Sequence, residues 1–478
     1  MDSLYNQVLY DSHPLPQTHP ANLAALAILF GMQPAPVGRC RVLELGCGNG
    51  ANLIPMALTL PESRFLGVDL AETPIRAAQS LASELGLLNC SFRRLDLADL
   101  PPGLGEFDYI LAHGVYSWVP SAVRDKLLAA CRSLLAVDGV AYVSYNCYPG
   151  CHLREIARDM MLYRTRGIAD PQTKLDLAAD LVRFLAAVEP ASAALREELR
   201  AVQSRAPSVL FHDDLADVNH PVYFHQFIEH AREHHLQFLA EAQFSSMQEA
   251  AFPAEVVEAL RALAQGDRIR HQQYLDFLKC RRFRQTLLCH RGTSLDAQPD
   301  PDRVRRLWAS SPAARASEEE FRAPSGASLR TNLPAAQAAM LHLGRSWPRA
   351  VSFDELAAEA GPSAAAILPD LLLRACAAGL VELHAAPSPF SVDPGPRPRA
   401  SALARIQARS GAQVATLRHS VVEILDPLAR ELVCLLDGTR DRAALLRDLQ
   451  PFAGPQPLLL ADLDANLLKL ARRALLEA

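Results

Sequence analysis

Residues 40–50 read Cys40-Arg41-Val42-Leu43-Glu44-Leu45-Gly46-Cys47-Gly48-Asn49-Gly50. A short apolar run ends in three glycines at alternate positions, with an acid two residues before the first. The run suits a buried strand, and the glycines let the backbone turn sharply and let a ligand approach closer than any Cβ would allow. Charge then narrows the ligand. A dinucleotide loop reads GxGxxG and seats a pyrophosphate on a helix N-terminus. Here the spacing is GxGxG, and Glu44 would repel a phosphate but suit a cation.

Outward from this loop, strands alternate with helices. ANLIPMALTL continues helically, RFLGVDL is a second strand and TPIRAAQSLASELGL a second helix. NCSFRRLDLADL, FDYILAHG and GVAYVSYN supply strands three to five, with VRDKLLAACRSLLAVDG a helix before the last. Such alternation implies a parallel sheet covered on both faces. Residues 170–232 then read as helix, and strand-like runs return at 236–244 (LQFLAEAQF) and 283–291 (FRQTLLCHR). The β-propensity of FRQTLLC favours a seven-stranded Rossmann-like α/β sheet with a helical insertion over a separate helical domain at 170–290.

The organisation expected is therefore a lid segment at 1–20, a core at 21–169, a helical insertion at 170–232 and strands six and seven at 233–291. A polar, Pro- and Arg-rich linker at 292–330 follows. Three short helices and a strand at 331–390 read as a winged-helix-like unit, and 400–478 as a second C-terminal α+β unit in which VATLRHSVVEIL begins as a strand.

A chain of 478 residues suits about three units. With 50% hydrophobic and 21% charged residues it reads as globular, and a net charge of -5 supplies no basic field for nucleic acid. MDSLYNQVLYDSHPLPQTHP lacks the basic and apolar regions of a signal peptide, and the apolar run LAALAILF is far shorter than the ~18–20 residues of a membrane span. Ten cysteines without a CxxC pair fit reduced thiols, so a cytoplasmic protein without membrane insertion is expected.

The loop with its acid resembles motif I of the class I S-adenosylmethionine (SAM) methyltransferases, whose ligand carries a sulfonium and an amino-acid end but no phosphate. Asp69, at the end of strand two, lies where an acid can accept both ribose hydroxyls. The resemblance implies that Asp96 contacts the adenine amino group and that His113 and Gly114 close strand four beside the reacting centre. The cofactor set expected is Glu44, Gly46, Cys47, Gly48, Gly50, Asp69, Leu70, Asp96, Leu97, His113 and Gly114, with Tyr10 and Gln17 from the lid. YDSHPLPQTHPANLAALAILFG, AHGVYSWVP, VSYNCYPG, VNHPVYFHQF and YLDFLKCRRFRQTLLCH are similar to one bacterial family. It comprises the methyltransferases that carry a methyltransferase regulatory domain, among them protein-lysine methyltransferases that modify rickettsial outer-membrane proteins. The resemblance spans about residues 1–291, and beyond that only the architecture matches. It implies methyl transfer from SAM to lysine side chains of a protein acceptor.

HGVYSWVP (113–120) places large rings at the lip of the sheet, where the pocket of this fold sits. Aromatic faces hold a sulfonium or alkylammonium by cation–π attraction. Tyr116, Tyr145 and Asn146 are expected to orient an amine, His113 to accept its proton, and Trp118, Tyr116 and Tyr148 to wall the acceptor. A small-molecule N- or O-methyltransferase is the alternative, and a SAM-binding interaction module without catalysis is a third reading.

Cys147-x-x-x-Cys151-His152 and His230-x-x-x-His234-His235 lack a matching second half at zinc-site spacing, so no metal is expected. The would-be recognition helix SAAAILPDLLLRACAAG carries one Arg and one Asp, too few donors to read a DNA groove, and protein docking is the expected use of that unit.

Overall fold

The structure is a computed structural model, which describes residues 12–188, 192–249, 252–362, 364–454 and 457–478. Helix α1 (Pro20–Leu29) starts at His19, whose Nδ1 accepts the Ala21 N–H at 3.1 Å, and Pro20 is pre-shaped for the first helical position. Its PANLAALAIL sequence is apolar all round, and it is buried at nearly every residue.

The core sheet follows as β1 (Arg41–Leu45), α2 (Leu53–Thr59), β2 (Arg64–Asp69), α3 (Glu72–Glu84), β3 (Cys90–Arg94), β4 (Phe107–Ala112), α4 (Ser121–Leu134) and β5 (Leu135–Asn146). β1, β4 and β5 are buried along most of their length, as strands covered on both faces must be, and they carry the near-continuous apolar runs that such burial demands. Glu44 is the buried charged residue of β1, whereas Arg41 at its start is half-buried and pairs with Asp108.

The insertion is α5 (Cys151–Arg164), α6 (Pro171–Ala187), α7 (Ala193–Gln203) and the short α8 (Pro207–Val209), around a small core that includes Met161, Val182, Leu199 and Phe211. α9 (Phe224–Glu233) leads to β6 (Leu236–Glu241), and α10 (Ala254–Ala264) and α11 (Arg268–Lys279) lead to β7 (Phe283–His290). The strand order is β3-β2-β1-β4-β5-β7-β6, so both late strands join the one seven-stranded sheet. β7 runs antiparallel to β5 and β6, which makes this edge mixed where strand–helix alternation had suggested a parallel sheet throughout.

Residues 292–330 are not the polar linker expected. β8 (Trp308–Ser310), β9 (Ala314–Arg315), β10 (Glu320–Arg322) and β11 (Ser328–Arg330) form there, and Val304, Leu307, Ala309 and Phe321 are buried. The few apolar residues among the charges are enough because β8 is the middle strand of a sheet completed by the next unit. That unit is α12 (Pro334–Ser346), β12 (Val351–Ser352), α13 (Phe353–Ala360), α14 (Ala364–Ala377) and β13 (Glu382–His384), in the order β12-β8-β13. Its core is continuous with that of the main sheet.

The last unit, α15 (Ala402–Ser410), β14 (Gln413–Ala415), β15 (Val421–Glu423), α16 (Pro427–Leu435), α17 (Arg442–Leu449) and α18 (Leu460–Arg472), has a core largely its own. The expected strand VATLRHSVVEIL is in fact a hairpin, turned at Thr416–Ser420 with His419 at φ 59°. Among the described residues no helix is long and apolar enough to cross a membrane.

Arg284 ties the late strands together. It is 1% exposed, bonds Glu241 Oε1 at 2.6 Å and both Asp276 oxygens at 2.8 Å, and lies 3.7 Å from the centre of the Phe224 ring. Removing one partner of a buried pair strands the others uncompensated, at a cost of about 3–5 kcal/mol. Arg284→Met should lower the unfolding free energy in urea by that amount, and a loss below about 1 kcal/mol would show the network to be dispensable.

Candidate functional site

At the carboxyl end of β1 the chain turns through Gly46 and Gly50, at φ 79° and 75°. A Cβ on Gly46 would lie 2.6 Å from Val115 Cγ2, and one on Gly50 2.7 Å from the Phe92 ring, so space as well as backbone conformation demands glycine. The Gly48 N–H is donated to Asp69 Oδ2 at 2.9 Å, and Asp69 Oδ1 accepts the Ala71 N–H at 2.8 Å. These bonds aim the carboxylate across the loop. Burial raises the Asp69 pKa against the pull of those N–H groups.

Glu44 is 3% exposed. Its Oε1 accepts Asn52 Nδ2–H at 2.8 Å, while Oε2 is buried with no hydrogen-bond partner among the described residues. Burial pushes its pKa up to about 8, opposed by the Asn52 bond. Asn52 is itself buried, and its Oδ1 accepts the Leu15 N–H at 3.0 Å and His419 Nε2–H at 2.8 Å. Because the amide oxygen can only accept, His419 is the Nε2–H tautomer. Burial holds its pKa well below the usual range and that of His19, whose ring stands 5.3 Å away, at about 4, so both are neutral at pH 7. Thus the lead segment and the last unit both close on the helix that carries the glycine loop.

The other expected cofactor residues divide. Leu70 is 52% exposed and Leu97 half-buried, near Asp69 and Asp96 respectively. Asp96 is exposed and caps a short turn through Ala98 N–H at 2.8 Å. Cys47 gives its N–H to Val68 O, and its thiol is buried, with its pKa raised by that burial and by Glu44. Gly114 gives its N–H to Ser144 Oγ at 2.9 Å. Tyr10 lies outside the described residues, whereas the Gln17 side chain sits near Tyr142, where it opposes the burial that raises the phenol's pKa, and the Tyr142 hydroxyl meets His113 Nδ1 at 2.9 Å. Burial and the nearby His13 lower the His113 pKa to about 4.

Strand alternation separates the expected acceptor residues. Tyr142, Ser144 and Asn146 share one face of β5, with Asn146 Nδ2 donating to Asn219 Oδ1 at 3.1 Å and its N–H to Ser117 Oγ. Tyr145 points to the other face. It is 1% exposed, stacks on Phe227 at 4.1 Å and bonds Thr286 Oγ1 at 3.1 Å, so the structure moves it out of the orienting set. Tyr116 joins that buried cluster, its hydroxyl 2.9 Å from His230 Nδ1 and its pKa pushed up to about 12 by burial. Tyr148 donates to Glu155 Oε1 at 2.6 Å and stacks on His152, so its hydroxyl is spent on α5, and Trp118 is half-buried at the lip. Asn52, Thr18, Tyr142, Ser144 and His419 were not singled out from sequence. Only Asn52 carries a local signal, a polar residue on the buried side of a helix start.

The residues fit SAM. An unpartnered buried carboxylate oxygen suits the cation of an amino-acid end, and Asp69 with exposed Leu70 suits a ribose and an adenine face. In the ligand-free protein Glu44 is mostly protonated below pH 8, so binding a cation there must release a proton. SAM affinity should rise by up to about tenfold per pH unit between pH 6 and 8 and level off or fall above, where an α-amino group of pKa ~7.7–8.0 loses its own charge. Calorimetric titration across that range measures this. Glu44→Gln should weaken binding and flatten the acid limb, and an unchanged limb would remove Glu44 from the site.

Three family models match the chain: "Methyltransferase domain" over residues 42–139, "Predicted methyltransferase regulatory domain" over 206–290, and "PKMT, C-terminal winged helix domain" over 396–470. The regulatory match thus runs from α8 to β7, overlapping the expected insertion at 206–232 and leaving α6 and α7 outside it, and the winged-helix match falls on the last unit rather than on 331–390. Protein RP028 of Rickettsia prowazekii is 36% identical over 238 residues, 48% of this chain and 95% of that protein. RP789 of the same organism is 38% identical over 308 residues, which is 63% of this chain but only 55% of that protein. The structure of PKMT2 from Rickettsia typhi in complex with AdoHcy aligns with a TM-score of 0.86 at 25% identity, over 98% of this chain and 99% of that one. With the glycine loop, the sheet order and the C-terminal unit all in agreement, the chain belongs to the class I SAM-dependent methyltransferases that carry a methyltransferase regulatory domain and a PKMT-type winged helix.

Proposed function

We propose that this protein transfers a methyl group from SAM to the side-chain amine of lysine in a protein acceptor. The observation that carries the reading is the end-to-end likeness to PKMT2, which runs through the C-terminal units as well as the sheet. SAM, when bound, supplies a methyl on a cationic sulfur. An N–C bond forms as the S–C bond breaks, AdoHcy leaves, and the amine gives up a proton.

Glu44, the glycine loop, Asp69, Leu70, Asp96 and Leu97 are proposed to hold the cofactor, with Gln17 closing over it. A free lysine has a pKa near 10.4 and attacks only when neutral. Walls that disfavour charge therefore help, and the proposed pocket offers neutral dipoles rather than carboxylates. His113 is uncharged at pH 7 and is held by Tyr142 through Nδ1, while Asn146, fixed by Asn219 and Ser117, stands at the end of the next strand. We assign His113 and Asn146 to orienting the amine and Trp118 to walling the pocket. Ten free cysteines fit work in a reducing cytoplasm.

The test incubates the purified protein with methyl-labelled SAM and heat-treated lysate from its own host. The account expects base-stable label in acid-precipitated protein that hydrolyses to methyl-lysine. Label confined to small molecules would replace the lysine reading with a metabolite, and no transfer at all would make the chain a SAM-binding module.

A further inference from the structure

His230 and His234 sit one turn apart on α9, and folding brings α4 alongside with Asp125. Asp125 Oδ1 is 2.9 Å from His234 Nε2 and 3.7 Å from His230 Nε2, and the three donor atoms lie within 4.8 Å of one another. A tetrahedral ion with bonds of ~2.0–2.2 Å to nitrogen and oxygen needs ligand atoms roughly 3.3–3.5 Å apart, a spacing reached by small side-chain adjustments. The third ligand that the His-x-x-x-His spacing lacks in sequence is thus supplied from a distant helix.

The surroundings are also those of a ligand set. His230 Nδ1 faces the Tyr116 hydroxyl at 2.9 Å, and a metal-bound histidine is commonly oriented by such a bond from its other nitrogen. An open cavity of about 450 Å³ lined by Ser121, Ala122, Arg124, Asp125 and His230 gives entry and room for a completing water. Arg124, whose guanidinium lies 5.5 Å from the Tyr116 ring centre, opposes a cation, and Asp125 and Glu233 offset it.

We propose that Asp125, His230 and His234 bind a divalent transition-metal ion of the zinc class, and that this ion fixes Tyr116. With Nε2 on the metal, His230 keeps its proton on Nδ1 and donates it to Tyr116 Oη. That hydrogen bond then has one direction, and the ring cluster of Tyr116, Tyr145 and Phe227 beneath the sheet lip is pinned. The ion is structural or regulatory and takes no part in methyl transfer.

The test is calorimetric titration of the chelator-treated full-length protein with Zn²⁺ alone, which does not depend on any methyl-transfer assay. One equivalent should bind saturably. His234→Ala and Asp125→Asn, both at partly exposed positions, should each weaken it by about tenfold or more, and Tyr116→Phe by up to about tenfold through the lost orienting bond. Unchanged SAM affinity in the Asp125 and His234 variants verifies their folding. No saturable binding, or equal affinity in those two variants, overturns the proposal.

Discussion

The structure depends on one buried amide. Asn52 gives its N–H to the Glu44 carboxylate and takes N–H groups from Leu15 and His419 on its oxygen. A buried polar group left unsatisfied costs about 1–3 kcal/mol, so the three neighbours are held to one arrangement. They come from the lead segment, the first strand and the last unit, which are far apart in sequence. The C-terminal winged-helix unit thus touches, through His419, the same Asn52 that holds Glu44. Its own core is largely separate, yet His419 reaches the glycine-loop helix, Arg418 pairs with Glu382, and the Arg418 guanidinium lies 3.9 Å from the Trp347 ring centre.

The Glu44 carboxyl explains why this network matters. A carboxylate in a buried strand would normally be paired or replaced, because its desolvation is costly. Here one oxygen is bonded and the other is held bare, with the pKa raised to about 8. Such an arrangement is stable only if the surroundings are rigid, and it is useful if a cation arrives. Asn52 holds that carboxyl group in place through its Nδ2–H.

The sheet and the glycine loop were legible because their signals are local. Apolar runs ending in glycines fix strand ends, and an acid at the end of β2 follows from the same register. The antiparallel entry of β7 was not legible, since pairing direction is set by the α10–α11 connection and not by FRQTLLCH itself. Residues 292–330 misled because composition averages hide Val304, Leu307 and Phe321 among charges. VATLRHSVVEIL concealed a turn because neither Gly nor Asn marks it, and His419 takes the left-handed conformation in their place. Among the ring residues, period-two alternation alone would have separated Tyr145 from Asn146. Which of the two faces the acceptor side depends on where α9 packs, and that information is tertiary.

The central claim is that the last unit acts on the cofactor through Asn52 and Glu44. The most direct measurement is a double-mutant cycle on SAM affinity with His419→Ala, Glu44→Gln and the pair. If the network carries the effect, His419→Ala weakens binding in the native background and adds little once Glu44 is already Gln, a coupling of about 1 kcal/mol or more. Strict additivity, or no effect of His419→Ala alone, would contradict the account and leave the winged-helix unit a neighbour of the site rather than a part of it.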